Sequence, residues 1–463
     1  MAYAVPSNRL RPYVLPFVGV VHAGATVNAV AQEYAPVGDE WMMLDPLGKI
    51  LLLSVSGLFL CCSFYAPGYL RFRNERSNRN FVACLLILVA MMSLVAYAQH
   101  LGVLWVAVEA TTLAAAPLIH FRYTPKAIEA TWKYLIVCSV GIALALLGLY
   151  FLAYSTLTAG DAPKLVLSDL VRSAHNFSAP WLRAAFLTLL VGYGTKMGLA
   201  PMHTWKPDAY GEAPGLVGAM LAGGLTSCAF VAILRVSMIL VAAGQAAMVS
   251  RAWIILGVSS MALAAAFLAR QRDFKRMLAY SSVEQMGILA IGAGLGGLGL
   301  FGALLHMLNN ALAKGVMFLS SGNIHRAYDS KSSADVRGAM SRVPLSGGLF
   351  LVGFFAVAGS PPFGPFVSVI TILQAAMTQY RYGIAAAYLL LLFLVFAGMG
   401  KTVVAVVMGG ADDSPSKRDY RDNAGTVVPI VVLLTFVLVL GVHLPETLRT
   451  ILYQAVDYVQ VMP

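Results

Sequence analysis

Apolar runs long enough to cross a lipid bilayer recur along the whole chain, at residues 11–31, 47–68, 80–98, 101–121, 129–157, 182–209, 214–242, 251–269, 276–296, 299–324, 345–380, 383–410 and 427–445. Only short polar stretches separate them. A hydrocarbon interior offers the backbone no water, so spans of this length are predicted to be helices, and they are too long to be the strands of a β-barrel. The pattern predicts an all-α, polytopic membrane protein with about 13 transmembrane helices.

Composition agrees with the pattern. The 463 residues are 59% hydrophobic and 11% charged, with a mean hydropathy of +0.76, whereas soluble domains carry about a quarter charged residues. The net charge of +11 would suggest nucleic acid in a soluble protein, but here the basic residues gather in alternate loops. They are Arg71, Arg73, Arg76 and Arg79, then Arg122, Lys126 and Lys133, then Arg270, Arg272, Lys275 and Arg276. Arg326, Lys331, Arg337 and Arg342 follow the tenth run, and Lys417, Arg418 and Arg421 the twelfth. The loop after the first run is acidic, with Glu33, Asp39, Glu40 and Asp45. By the positive-inside rule the N-terminus is cytoplasmic, and an odd number of spans puts the C-terminus outside. The first run lacks the pattern of a cleaved secretory signal and is expected to be a retained span. Cys61, Cys62, Cys84, Cys138 and Cys228 all lie in apolar stretches without metal-ligand spacing, so no disulfide, zinc site, iron–sulfur cluster or other cofactor is expected.

Two runs contain helix breakers at membrane depth: GYGTKMGLAPMHTWKPDAYGEAPG from Gly192 to Gly215, and FAVAGSPPFGPFVS from Phe355 to Ser368. Proline there frees backbone groups that other helices or a wet cavity must satisfy. Each broken run is the fourth of a five-helix block, and five being odd, consecutive blocks would have opposite orientation, as in transporters with inverted repeats. The domains expected are N-terminal helices at 1–79, a first repeat at 80–242, a second, inverted repeat at 251–410, and a loop with the last span at 411–463.

Ionisable residues inside the runs suggest chemistry. Glu109, in VLWVAVEATTLAAAPLI, needs a partner at that depth. Lys196, just before the Pro201 break, is its natural cation, either as a working pair or as a structural ion pair. In LLHMLNNALAKGVMF, His306, Asn310 and Lys314 follow one another at i, i+4, i+8, one face of a helix with about 6 Å of rise per step. Such a stripe suits a proton relay, although His and Asn also bind helices to each other in membranes. His203 in PMHTW stands at the break and reads equally as relay or structure. Lys401, in the twelfth run, either joins the pathway or reaches the interface along its own stem.

These segments resemble the antiporter-like membrane subunits of respiratory complex I and the membrane-bound hydrogenases, with the strongest likeness to hydrogenase-4 component F and further similarity to complex I chains M, N and L. The resemblance rests on WVAVEATTLAAAPLI (105–119), EATWKYLIVCSVGIALALLG (129–148), KMGLAPMHTWKPDAYGEAP (196–214), RDFKRMLAYSSVEQMGILAIG (272–292), LLHMLNNALAKGVMFLSSGNI (304–324) and AGSPPFGPFVS (358–368). It implies a non-catalytic subunit that couples redox chemistry in partner subunits to proton transport in a prokaryotic plasma membrane, with Glu109 paired to Lys196 and with His306 and Lys314 in a central line. Its partners would be other membrane subunits and a peripheral redox module. Two positions depart from the family pattern: Ser227 where a central lysine is common, and Val369 where a glutamate or lysine usually ends the relay. The chain is also expected to lack one N-terminal span and a long lateral C-terminal helix. The alternatives are a subunit of a multisubunit sodium/proton antiporter and a scaffold whose pathway has decayed.

Overall fold

The structure, a computed structural model, describes residues 3, 5–32, 40–71, 77–159, 164–410 and 420–461. Glu33, Asp39, Arg73, Arg76, Lys417, Arg418 and Pro463 lie outside the described residues. Five helices open the chain: α1 (Val14–Ala31), α2 (Pro46–Leu70), α3 (Arg79–Tyr97), α4 (Leu101–Ile119) and α5 (Pro125–Leu157). A short α6 (Leu167–Ser173) precedes an interrupted span made of α7 (Ala179–Met197) and α8 (Lys206–Glu212). Helices α9 (Gly215–Met220) and α10 (Thr226–Ala242) are one rod with a π-turn at Leu221–Leu225. Then come α11 (Ala246–Leu268), α12 (Phe274–Leu295), α13 (Leu298–Tyr328) and the small α14 (Ala339–Arg342). A second interrupted span, α15 (Pro344–Val357) and α16 (Gly364–Thr378), leads to α17 (Tyr382–Met408), α18 (Ala424–Val442) and α19 (Glu446–Val461).

All thirteen predicted runs fall on these helices, and 9 helices among the described residues are long and apolar enough to cross a membrane. The other four runs are the two interrupted spans and α12 and α13, whose polar interior residues dilute their hydropathy. Helix α13 is the axis of the bundle. It packs against α2, α9, α12, α15, α16 and α18, and nearly every side chain from Gly299 to His325 is buried.

The two interrupted spans stop in the same way. Gly198 and Gly359 take left-handed φ values of 74° and 72°, a conformation nearly free only to glycine. The next residue in each case bonds five residues back, Leu199 N to Gly194 O at 3.0 Å and Ser360 N to Phe355 O at 3.0 Å. This is the hydrogen-bond pattern of a helix C-terminus closed by an αL glycine. At the first break the freed groups find partners in the bundle: Ala200 N donates to Ser260 Oγ at 2.9 Å, and the Trp205 indole donates to Thr195 O at 2.8 Å. Backbone irregularity at this depth is therefore hydrogen-bonded within protein, as a membrane interior requires.

Basic loops meet at one end of the bundle. Arg326 donates to Tyr69 O at 2.6 Å, Arg122 reaches His325 at 2.6 Å, and Arg11, just before α1, reaches Asn78 at 2.7 Å. No apolar run marks a helix after the last span, yet α19 is there. Its buried Ile451, Leu452, Ala455 and Val456 alternate with exposed residues at helical period, so it shows no unbroken apolar run. It lies on α2, α10 and α13 at the end opposite the basic loops, with the Tyr453 ring 4.8 Å from that of Phe301 and tilted against it by 36°.

Candidate functional site

The predicted pair forms. Glu109 on α4 and Lys196 in the last turn of α7 approach to 4.0 Å, with the lysine fully buried and the carboxylate partly so. A hydroxyl stands between them: Lys196 Nζ donates to Thr112 Oγ1, and Thr112 Oγ1 donates to Glu109 Oε2 at 2.9 Å. The Tyr134 ring, 5.6 Å from Nζ, covers the lysine. A cation in the last turn also faces the negative end of its helix, which favours it there. The pair is thus joined through one hydroxyl.

Beyond the break lies a second buried lysine that the sequence reading passed over. Lys206 opens α8, is fully buried, and its Nζ finds no hydrogen-bond partner among the described residues. Its stem rests against the left-handed turn at Gly198, where any larger residue would displace it. An ammonium buried without a partner costs several kcal/mol, a usual mark of function in membranes. Cys138 on α5 faces both Lys196 and Lys206, and Lys206 is near enough to Lys314 for their charges to interact. His203 sits within the break, largely buried, 6.3 Å from the Tyr280 ring and close enough to Lys206 to feel its charge.

His306, Asn310 and Lys314 lie buried along α13 as their spacing predicts. Lys314 Nζ donates to Ser281 Oγ on α12 at 2.7 Å. His306 bonds Gln285 Oε1 through Nε2 at 2.8 Å and Ser368 Oγ through Nδ1 at 2.8 Å, which ties α12 and α13 to the second broken helix. Asn310 is on the stripe, but its amide has no hydrogen-bond partner among the described residues. Glu284, also overlooked in the sequence, is 3% exposed and accepts from Gln285 Nε2 at 2.7 Å.

Lys401 is not brought to this line. It is exposed on α17, and its neighbour Thr402 bonds Gln271 O at 3.0 Å in a basic loop, so Lys401 sits on the flank of the bundle near its basic end. Ser227 turns its hydroxyl onto Gly223 O of its own helix at 2.6 Å, within the π-turn. Val369 is buried in an apolar cluster with Ile288, Ile291 and Ile372. At the basic end, next to α8, a charged cavity of about 320 Å³ is lined by Lys126, Lys133, Asp208, Glu212, Arg276 and Lys331. Asp208 pairs with Lys133 at 3.1 Å and with Arg276, and Glu212 pairs with Lys331 at 2.6 Å. Pro207, the residue after Lys206, is part of its wall.

A multi-pass helical bundle with two interrupted spans and an ionisable interior defines an integral membrane protein. The chain belongs to the NADH:quinone oxidoreductase/Mrp antiporter transmembrane family, which it matches over residues 98–395. It is 31% identical to the hydrogenase-4 component F homolog of Methylacidiphilum infernorum, over 88% of this chain and 86% of that one. It is 29% identical to NADH-quinone oxidoreductase subunit N of Desulforudis audaxviator, over 90% and 85% of the two chains. Among solved structures, a chain of the membrane-bound sulfane sulfur reductase, an archaeal respiratory membrane complex, superposes with a TM-score of 0.89 at 20% identity, covering 100% of this chain and 94% of the other.

Proposed function

We propose that the chain is the proton-translocating, antiporter-like subunit of a complex I-like or group 4 [NiFe]-hydrogenase-type complex, in which partner subunits carry out the redox chemistry. One observation carries this reading: a buried line of side chains runs from Glu109 through Thr112, Lys196, Lys206 and Lys314 to His306 and Ser368, joining both broken helices. Thr112 bonds both Glu109 and Lys196, Cys138 lies within reach of the charges of Lys196 and Lys206, and Lys206 and His306 each lie within reach of the charge of Lys314. The charged cavity beside α8 would feed Lys206 from the basic side of the membrane, because its paired carboxylates and lysines keep it wet. His203 and Asn310 border the line, and Lys401 stands outside it.

The same reading sets the protein in a prokaryotic plasma membrane with thirteen crossings, an N-terminus in the cytoplasm and α19 outside. Residues 80–242 and 251–410 would be its inverted repeats. The opposed ends of Arg11 and α19 in the bundle support this orientation. Cysteine introduced at Glu446, on the rim of α19, is expected to react with an impermeant maleimide added to intact cells. Labelling only after the cells are opened would mean that a span has been miscounted.

Isolated in mild detergent, the protein is expected to bring other membrane subunits and a soluble redox module. Recovery as a monodisperse homo-oligomer that exchanges sodium for protons on its own would overturn the coupled-complex reading and favour the antiporter.

A further inference from the structure

Glu284 is a buried carboxylate for which the line as described has no use. On α12 it lies about one turn from Ser281 at i−3 and from Ile288 at i+4, and directly before Gln285. Ser281 holds Lys314, Gln285 holds His306, and Ile288 packs in the apolar cluster of Val369. Along α13, Lys314 and His306 are about 12 Å apart in rise, too far for direct exchange, and along α12 Glu284 falls between their partners Ser281 and Gln285. Its charge and that of Lys314 interact without a direct ion pair among the described residues.

The hydrogen bonds around Gln285 decide where protons sit. Its Nε2 faces two acceptors, Glu284 Oε2 at 2.7 Å and Val357 O at 3.3 Å, so the amide cannot flip without placing oxygen against oxygen. Its Oε1 can only accept, and therefore His306 carries a hydrogen on Nε2. The second imidazole nitrogen, Nδ1, meets Ser368 Oγ, which also reaches Pro365 O at 2.9 Å. A serine hydroxyl has one hydrogen. If His306 is neutral, that hydrogen points to Nδ1. If His306 is charged, Nδ1 donates to Ser368, and the hydroxyl turns to Pro365 O in the first turn of the second broken helix.

We propose that Glu284 is a proton-accepting residue of the line, taking up a proton from Lys314 and reporting its own charge through Gln285 to His306 and the second broken helix. In the step, an N–H bond of the Lys314 ammonium breaks and an O–H bond forms on Glu284 by way of one bridging water, which gives up one proton as it takes the other, leaving a neutral amine and a neutral carboxylic acid with no change in net charge. Loss of the carboxylate charge weakens the hold of Gln285 on an imidazolium and so favours the neutral His306, with the Ser368 hydroxyl donating to Nδ1. An acid on α12 thereby supplies, one turn from the Val369 cluster, an ionisable group that α16 lacks at that depth. The proposal rests on the reading that this chain moves protons.

The test compares three variants in the assembled complex in sealed vesicles, reading protons moved per electron. Lys196→Ala tests the line as a whole, Glu284→Gln removes only the charge of the acid, and Glu284→Gln with Val369→Glu returns a carboxylate from the facing helix. The expected result is loss of proton movement in the first two variants and partial recovery in the third. Loss in Lys196→Ala with a wild-type ratio in Glu284→Gln overturns the role of Glu284 alone, whereas a wild-type ratio in Lys196→Ala overturns the proton-moving reading itself. Loss in Glu284→Gln without any recovery in the double variant overturns the placement of the acid beside Val369. Should Glu284→Gln fail to assemble, the wild-type complex treated with a hydrophobic carbodiimide, which attacks protonated carboxyl groups, decides by mass spectrometry. An adduct on Glu284 is expected, and its absence at full inhibition overturns the proposal.

Discussion

Glu109→Gln and Lys196→Ala are each expected to reduce protons moved per electron to the leak of the membrane, in vesicles normalised to assembled complex. The reason is electrostatic. Glutamine keeps the size of Glu109 and still accepts a bond from Thr112, but it no longer offers a charge, and Lys196 then sits in a buried pocket beside the Thr112 hydroxyl, the Tyr134 ring and Cys138. An opposite charge within about 4–6 Å favours the ionised form of its partner, so in the proposed mechanism the proton affinity of Lys196 would rise when the pair closes and fall when it opens. Removing either member removes that alternation. Loss of a positioned proton-transfer group typically slows transfer by about 10²–10⁴-fold, enough for leak to dominate. Lys196→Arg should recover little, because a guanidinium holds its proton too tightly to hand it on. Lys401→Ala serves as the control and should pump normally, since Lys401 is exposed on the flank of α17. Wild-type ratios in both Glu109→Gln and Lys196→Ala would reduce the pair to a structural contact.

What could be read from the chain, and what could not, follows from how each residue stands out against its neighbours. The runs, their helical character and both breaks were legible because apolar length and proline are local properties. Glu109, Lys196, His306 and Lys314 were legible because each interrupts an otherwise apolar stretch. Glu284 was not, because Ser281, Ser282 and Gln285 surround it and make that part of the run look merely polar; the signal available was a carboxylate at mid-span, the same signal that exposed Glu109. Lys206 was hidden by its place between Pro201 and Pro207, where a lysine reads as interfacial, and only the fold shows α8 turning it inward. For Lys401 the sequence left pathway and interface both open, and the exposed face of α17 on which it lies favours the interface. The amphipathic α19 gave no run at all, although its alternation at helical period was present in the sequence.

Arg235 is the clearest case of a residue that only tertiary structure explains, and its removal is expected to have the largest effect on stability. It lies on α10, fully buried, and pairs with Asp45 through Nη2 at 3.0 Å and Nε at 3.1 Å. The same guanidinium donates to Val95 O at 2.7 Å, Ala98 O at 2.9 Å and Ala96 O at 2.8 Å. Those carbonyls belong to the end of α3, where the last turn has no partners of its own and carries negative charge. Asp45 in turn caps the start of α2, accepting from Gly48 N at 2.5 Å, and also accepts from Gln99 Nε2 at 3.0 Å. One arginine thus joins the end of α3, the start of α2 and the middle of α10, with every donor used. Breaking a buried pair by deleting one partner costs about 3–5 kcal/mol, and each carbonyl left without a donor adds about 1–3 kcal/mol. Arg235→Leu should therefore abolish most assembled protein, seen as loss of the monodisperse peak of a fluorescent fusion in detergent. Asp45→Leu with Arg235→Leu should recover part of it, since the stranded carboxylate is gone while the carbonyls at the end of α3 remain unpaired. Whatever complex assembles should move protons at the wild-type ratio, because this cluster stands apart from the line between Glu109 and Ser368. Arg235→Leu that assembles as well as wild type would show that the three helix ends hold together without it.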